Sequence, residues 1–348
     1  MSRHPHNLPY LLLAMASYGA FAVYLYQPYF DRFSLWHWLL PANAWLAAVG
    51  CFVLSRRWIA GFLGSLLAGA VYGFGPFLLA LGRFHPTAGL LAAIIPWLFM
   101  PAAFVGRQRR GLACVLAVLP FVAVVLFFLV FRFDAEHRFF AAPLQSELRP
   151  TDLVGFIAPL VMFSRTAVLP SLYHISIAPL VLGLGMIVKA RRYGILIIIA
   201  AGLALTFCRS YLGPGPVAWL GVSPILWLSI PLVCLAVLAG VGLQGLMEAG
   251  ASDRWWVLLI AACLAAAAAI TLVLARKYFE VMLGLAEGYA RLFVQAAKMY
   301  LMGVVAMLIV FIMARQEMRL RPLRWAVLAA ALGLDIFLGA RYIVDKIF

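Results

Sequence analysis

Long uninterrupted runs of apolar residues constrain this chain more than any other feature. The stretches 194–207 and 255–275 contain no charged residue. Crossing about 30 Å of hydrocarbon as an α-helix takes roughly 20 apolar residues. A membrane β-barrel needs short segments in which apolar and polar residues alternate, and these runs do not alternate. The runs therefore predict membrane-spanning helices.

The chain has too few charged and polar residues to cover the surface of a soluble domain. Hydrophobic residues make up 66% of the 348 residues and charged residues only 11%, whereas a soluble chain is nearer half apolar and a quarter charged. A soluble protein of this composition would lack a polar surface, so the bilayer must act as solvent for most of it. We predict an all-α, polytopic helical bundle that forms a single integral membrane domain over residues 1–348.

The net charge of +15 does not indicate binding to nucleic acid. The basic residues form short clusters between apolar runs, as in cytoplasmic loops that follow the positive-inside rule. No domain is available to present a basic face to DNA or RNA. The main clusters are Arg56 with Arg57, 107–110, 189–192 and 315–324.

Eleven spans follow from the apolar runs, and the charges orient them. With the N-terminus in the cytoplasm, the inner side collects 14 basic and three acidic residues, and the outer side 13 basic and nine acidic ones. This asymmetry predicts a cytoplasmic N-terminus and an extracytoplasmic C-terminus. The predicted spans are 9–28, 38–55, 59–81, 88–105, 111–131, 174–189, 194–208, 223–247, 255–275, 299–314 and 325–343.

Two predicted outer segments are longer than the others. In 132–173, the part 152–163 is apolar enough for a short helix that lies at the membrane or re-enters it. In 276–298, polar residues recur at intervals of three, four or seven, which predicts an amphipathic helix. This helix either lies on the outer surface or extends the next span outward.

Cysteine and histidine patterns give no support for a metal or a disulfide. The five cysteines lie in or beside apolar runs without a CxxC pair, and we interpret them as small buried hydrophobic residues. The four histidines predicted on the outer side are too far apart in sequence to indicate a ligand set. Nucleotide-binding and hydrolase motifs are absent from usable contexts, so we predict no cofactor. The histidines are His37, His85, His137 and His174.

Small residues recur at helical spacing in two runs. Such stripes allow close helix contacts, either within the chain or with a partner. The glycines are Gly61, Gly64 and Gly69 in one run and Gly240, Gly242 and Gly245 in the other.

Several local motifs share their order with those of a known bacterial family. A small-residue helix over 60–77 is followed by His85-Pro86 and by the Pro-Trp-Leu-Phe-Met-Pro motif of 96–101. Further on come 149–159, the basic-ended helix 173–192, and a run over 220–246 that contains Leu-Ala-Gly-Val-Gly-Leu. These motifs, covering about residues 39–250, resemble those of the YfhO-type bacterial membrane proteins, part of the broader GT-C glycosyltransferase-like group.

The resemblance implies a GT-C-like helical scaffold in the bacterial cytoplasmic (inner) membrane. An enzyme of this group would use a polyprenyl-phosphate-linked sugar, with an acidic residue on a long outer loop after the first helix. Here that loop is only 27–37, and Asp31 is its single acid. Asp31 is the candidate catalytic base, and Arg32, Arg83 and His85 are the candidate contacts to substrate or phosphate. The alternative interpretation is a solvated pair of Asp31 and Arg32 at the membrane surface.

Two polar residues within the predicted spans are candidates for specific roles. Asp335 lies near the middle of the last span, where a carboxylate costs several kcal/mol unless it is paired, protonated or hydrated. It either couples protons or substrate to function, or forms a structural hydrogen bond to a neighbouring helix. Gln244 lies near the end of its span and is predicted to serve helix packing.

Three functions remain open from the sequence. We favour a non-catalytic scaffold or accessory subunit of a membrane assembly, because the expected catalytic loop is missing and small-residue faces are present. The alternatives are a GT-C-type glycosyltransferase acting on the extracytoplasmic side and a transporter, for which Asp335 is the only specific sign. Expected partners are membrane lipids, other membrane proteins and a polyprenyl-phosphate lipid, without nucleic acid.

Overall fold

The computed structural model describes residues 8–35, 37–58, 61–84, 86–105, 109–133, 155, 177–189, 193–212, 224–248, 254–281, 287–313 and 321–348. Within these ranges every regular element is a helix. A 3₁₀ helix at Gln27–Arg32 follows the first α-helix. The α-helices are α1 (Leu8–Tyr26), α2 (Leu39–Trp58), α3 (Phe62–Gly73), α4 (Pro76–Phe84), α5 (Pro86–Leu98), α6 (Met100–Val105), α7 (Arg110–Leu116), α8 (Leu119–Phe133), α9 (Ile177–Lys189), α10 (Tyr193–Leu212), α11 (Pro224–Glu248), α12 (Arg254–Val281), α13 (Glu287–Met313) and α14 (Arg321–Ile347).

These helices confirm the prediction of an all-α chain built for a membrane. In the described ranges, nine helical segments are long and apolar enough to cross a bilayer. The predicted spans 174–189 and 194–208 correspond to α9 and α10, whose apolar parts are shorter. Large apolar side chains such as Leu126, Ile197 and Val273 point outward and are more than half exposed, as expected where lipid covers the surface.

The predicted span 59–81 is not one continuous helix. It divides at Phe74 and Gly75, and α4 begins at Pro76. Proline has no backbone N–H to continue the hydrogen bonds of α3 and has a favourable geometry for the first position of a new helix. The predicted span 88–105 likewise comprises α5 and α6, separated at Phe99.

Helix α11 forms the centre of the bundle. It packs against α3, α9 and α10, and 94% of its most apolar 18-residue window is buried, against 11% for the window 111–130. Added Cβ atoms on Gly240 and Gly242 would collide with the backbones of α3 and α9. The small-residue faces predicted from the sequence therefore bring helices together within the chain.

The described residues of 276–298, a segment predicted to lie on the outer side, belong to two long helices. Residues 276–281 complete α12, and α13 already begins at Glu287. Two alternatives were predicted for this segment, a helix on the membrane surface and an extension of the next span. The structure has the second, because α13 continues without a break to Met313. At about 1.5 Å per residue, the 27 residues of α13 measure about 40 Å and exceed the hydrocarbon thickness. The predicted short helix 152–163 lies outside the described residues, apart from Gly155.

The bundle has two ends that are used as landmarks below. The Arg324 end holds the first turns of α1 and α14 and the last turns of α11 and α13, where Arg324 contacts Met247 and Met313. The Phe348 end holds the last turns of α1 and α14, the 3₁₀ helix and the start of α2, around Phe348. The sequence prediction places the Arg324 end in the cytoplasm.

Candidate functional site

The candidate catalytic residue Asp31 lies in the 3₁₀ helix that follows α1. Pro28 lies in the first turn of this helix, whose six residues reach from Gln27 to Arg32. Asp31 is exposed and makes no hydrogen bond or ion pair within the described part of the chain. Arg32 Nη1 instead donates a hydrogen bond of 3.0 Å to the main-chain oxygen of Phe348. Asp31 and Arg32 are neighbours in sequence, but their side chains have different surroundings: Arg32 contacts the end of α14, whereas Asp31 is exposed.

The other two candidate contacts are described only in part. Arg83 lies in the last turn of α4, which packs against α14 near the Phe348 end. Its side chain and the whole of His85 lie outside the described part of the chain. Their predicted contact with a substrate or phosphate therefore remains a prediction.

Aromatic side chains close the end of the bundle beside Asp31. The ring of Phe348 stacks on Tyr29 and Phe33, with centroid distances of 5.0 and 5.1 Å. His37 lies 5.0 Å from the same ring, and Tyr26 approaches it edge-on at 6.4 Å. We call these five residues the Phe348 cluster. They fill the space between the 3₁₀ helix and the end of α14 with apolar contact.

A polar network joins the last helix to the first beside this cluster. Tyr29 Oη donates a hydrogen bond of 2.5 Å to Asp345 Oδ1, and Arg341 Nε lies 2.7 Å from the same oxygen. Arg341 also donates to the carbonyl of Leu25 at 3.5 Å and lies over the Tyr29 ring. Asp345, not selected from the sequence, is thus the acid at this end that has partners. Its four-residue spacing from Arg341 was the available signal.

Arg324 is a second residue that sequence reasoning missed. The sequence interpretation counts it in the basic cluster 315–324 of a predicted cytoplasmic loop, but Arg324 is only 5% exposed. Its guanidinium donates to Met247 O at 3.3 Å and to Met313 O at 3.2 Å. These carbonyls lie in the last turns of α11 and α13, where unpaired carbonyls and the helix dipole favour a cation. Arg324 therefore joins two helix C-termini to the start of α14.

Asp335 is fully buried in α14. The fully buried Tyr300 of α13 is close enough for an electrostatic interaction with it. A buried carboxylate beside a phenol hydroxyl can be stabilised without water. Because α13 and α14 pack together, this pair lies at a helix–helix contact. The structure therefore places Asp335 between helices and away from the lipid surface.

Gln244 links α11 to the start of α3. Its Oε1 accepts a hydrogen bond of 2.7 Å from the backbone N–H of Gly61, the residue before α3. Its Nε2 donates to Glu248 Oε1 at 3.0 Å. The first N–H groups of a helix have no partner within the helix, and Gln244 satisfies this one from another element.

The four cysteines whose side chains the structure describes divide into two classes. Cys51 and Cys234 are buried, as predicted, whereas Cys114 and Cys263 are exposed, so the prediction of burial is wrong for these two. Both lie within apolar helical segments, so their exposed surface faces the hydrocarbon. In the ranges that the structure describes, no group of three His, Cys, Asp or Glu side chains could hold a metal ion.

Comparisons with protein-family models, with curated proteins and with solved structures find no match for this chain. The resemblance to YfhO-type proteins therefore rests on the sequence motifs alone and remains a prediction.

Proposed function

We propose that this chain is a non-catalytic scaffold or accessory subunit of an assembly in the bacterial inner membrane, built on a GT-C-like helical framework. The observation that supports this proposal is the packing at the Phe348 end. There the Phe348 cluster fills the space between the 3₁₀ helix and the end of α14, Arg32 donates to the main-chain oxygen of Phe348, and Asp31 is exposed outside these contacts.

Sugar transfer from a lipid phosphate needs a base placed against the acceptor and cationic groups that hold the phosphate. Asp31 is exposed and stands apart from positioning groups in the described structure. The acid with partners at this end, Asp345, is held by Tyr29 and Arg341. A carboxylate that accepts bonds from both neighbours serves to join helices, which favours the scaffold over the enzyme.

A partner subunit would contact faces that the bundle leaves open. The glycine faces of α3 and α11 are occupied by other helices of the same chain, so they no longer support the accessory role. The apolar outer face of α12 is exposed at Trp255, Ile270 and Val273. This face is where we expect membrane-embedded partners to pack.

Co-purification combined with an Asp31→Ala variant tests the proposal. We expect a stoichiometric membrane protein to remain bound in mild detergent, as identified by mass spectrometry, and we expect Asp31→Ala to leave cell function unchanged. Asp345→Ala is the matched control, because it removes an acid with partners at the same end. Loss of sugar transfer to lipid or wall polymer in Asp31→Ala, at unchanged protein level, would contradict the proposal and favour the glycosyltransferase.

An Asp335→Asn variant separates the scaffold from the transporter. Asn keeps the shape and a hydrogen-bond acceptor but cannot titrate. If Asp335 serves helix packing beside Tyr300, the variant keeps both its stability in detergent and its cellular function. A variant that is stable and keeps its partners but is inactive in the cell would instead favour proton or ion coupling through Asp335.

The proposed orientation places the N-terminus in the cytoplasm and the C-terminus outside. In a chain without native cysteines, single cysteines introduced at Gln145 and Pro214 should react with an impermeant reagent from outside. Cysteines at Gln108 and Gln316 should be protected. Labelling at Gln108 from outside would overturn the orientation.

A further inference from the structure

A groove of about 670 Å³ runs along α13 on the side that faces α14. Its polar lining consists of Arg291, Gln295 and Lys298, which lie on one face of α13 and are exposed. The spacing of four and then three residues places these side chains in one stripe along the helix. The groove therefore has a cationic and hydrogen-bonding edge on a single helix.

The rest of the groove is apolar. Met299 is buried, Met302 is half-buried, and Leu338 of α14 completes the floor. Methionine side chains are flexible and adapt to irregular apolar ligands. The same groove thus offers a charged edge and an apolar floor to one molecule.

The depth of the groove can be judged from helix length. Counting about 1.5 Å per residue from Met313, the end of α13, about 30 Å of hydrocarbon ends near Val294. Arg291 then lies about one turn outside the hydrocarbon, and Lys298 lies about one turn inside it. A lysine at that depth extends its ammonium towards the headgroups. Both cations therefore converge on the headgroup layer, with the apolar floor below them.

The surrounding segment is basic as well. Residues 276–298 contain Arg276, Lys277, Arg291 and Lys298 against two acids, Glu280 and Glu287. The excess of positive charge complements a phosphate and disfavours a second cation. Each cation near the bilayer surface raises the affinity for anionic lipid by about a factor of five.

We propose that this groove binds an anionic diacyl phospholipid, with the phosphate between Arg291 and Lys298 and an acyl chain along Met302 and Leu338. Gln295 lies between the two cations and can donate to a phosphate oxygen. The proposal is independent of the scaffold function and of the orientation of the chain, because it uses only the length of α13 and the lining of the groove.

The test measures lipid binding to the full-length protein in mild detergent by native mass spectrometry. Titration with dioleoyl phosphatidylglycerol and with dioleoyl phosphatidylcholine gives the preference for the anionic lipid. We expect the double variant R291Q/K298Q to lose this preference about 25-fold, a factor of about five for each cation. Because Arg291 and Lys298 are exposed, we expect the double variant to fold. An unchanged elution volume in size-exclusion chromatography checks that it does.

Lys277→Gln is the matched control, because Lys277 is an exposed lysine of α12 in the same basic segment and outside the groove lining. It should keep the full preference. An equal loss in Lys277→Gln, or an unchanged preference in the double variant, would overturn the proposal. Displacement of the bound phosphatidylglycerol by millimolar inorganic phosphate would also overturn it, because a free-anion site needs no acyl chain.

Discussion

The two ends of the bundle are held together differently. At the Arg324 end, a buried guanidinium donates to the C-terminal carbonyls of two helices. At the Phe348 end, stacked rings and an exposed ion pair join α1 to α14. At both ends an arginine contacts oxygen atoms, which are main-chain carbonyls at the Arg324 end and the Asp345 carboxylate at the Phe348 end. Burial separates them, since charge-assisted hydrogen bonds away from water are worth several times an exposed ion pair. The comparison suggests that stability is concentrated at the Arg324 end.

The largest effect is expected from Arg324→Leu. The change removes two charge-assisted hydrogen bonds and leaves the Met247 and Met313 carbonyls without this donor. We expect a loss of about 3 kcal/mol in the free energy of unfolding, measured as a lower midpoint of unfolding in detergent. Arg57→Gln is the control at the same end, because Arg57 is exposed and should change stability by less than about 0.5 kcal/mol. Equal effects of both variants would remove the distinction between buried and exposed arginines.

Gln244→Leu tests the same end without a charge. It leaves the N–H of Gly61 without its acceptor, which should cost about 2 kcal/mol. The double variant Gln244→Glu/Glu248→Gln keeps the acceptor for Gly61 and reverses the donor and acceptor of the contact with residue 248, so it should recover most of the loss. A Gln244→Leu variant with the same unfolding midpoint as the parent chain would show that packing volume and not the hydrogen bond matters.

Phe348→Ala tests the aromatic half of the comparison. The half-buried ring contacts Tyr29, Phe33 and His37, so its loss should cost about 1.5 kcal/mol. Phe348→Leu should cost less, because it retains apolar contact without stacking. A cost above that of Arg324→Leu would reverse the proposed ranking of the two ends.

Tyr29→Phe should have the smallest effect. It removes the hydroxyl that donates to Asp345 and preserves the ring stacking on Phe348. Because Asp345 is exposed and keeps Arg341, we expect a loss below about 0.5 kcal/mol. High salt should leave this variant and the parent chain equally stable, whereas a salt-dependent difference above that value would show that the network is stronger than its exposure suggests.

Much of the fold follows from the sequence because hydrocarbon thickness sets helix length. The apolar runs predicted where the described helices lie, within a few residues at most ends. The break before Pro76 was missed because apolarity continues across it, although Gly75-Pro76 is a recognisable interruption. The sequence left two alternatives for 276–298, because an amphipathic pattern fits both a surface helix and an extended span. The structure has the extended span, since α13 begins at Glu287.

The site was harder to predict, because its key contacts join distant residues. Counting charges assigned Arg324 to a cytoplasmic loop, since the count ignores the apolar neighbours that bury it. Gln244 and Gly61 are 183 residues apart, and a local pattern can show that Gln244 is polar but cannot identify its partner. Asp31 was selected as the single acid of its loop, while the pairing of Asp345 with Tyr29 depends on the meeting of α1 and α14.

The contact between α1 and α14 has a consequence for biogenesis. Tyr29 and Asp345 are 316 residues apart, so the ribosome must synthesise all of that length before α1 can meet α14. Until α14 leaves the translocon, the carbonyls of Met247 and Met313 also lack Arg324. A chain stalled before α14 therefore presents open helix ends, and an α1 that lacks its contacts with α14, to membrane proteases. Closure of the bundle at both of its ends therefore waits for the synthesis of α14.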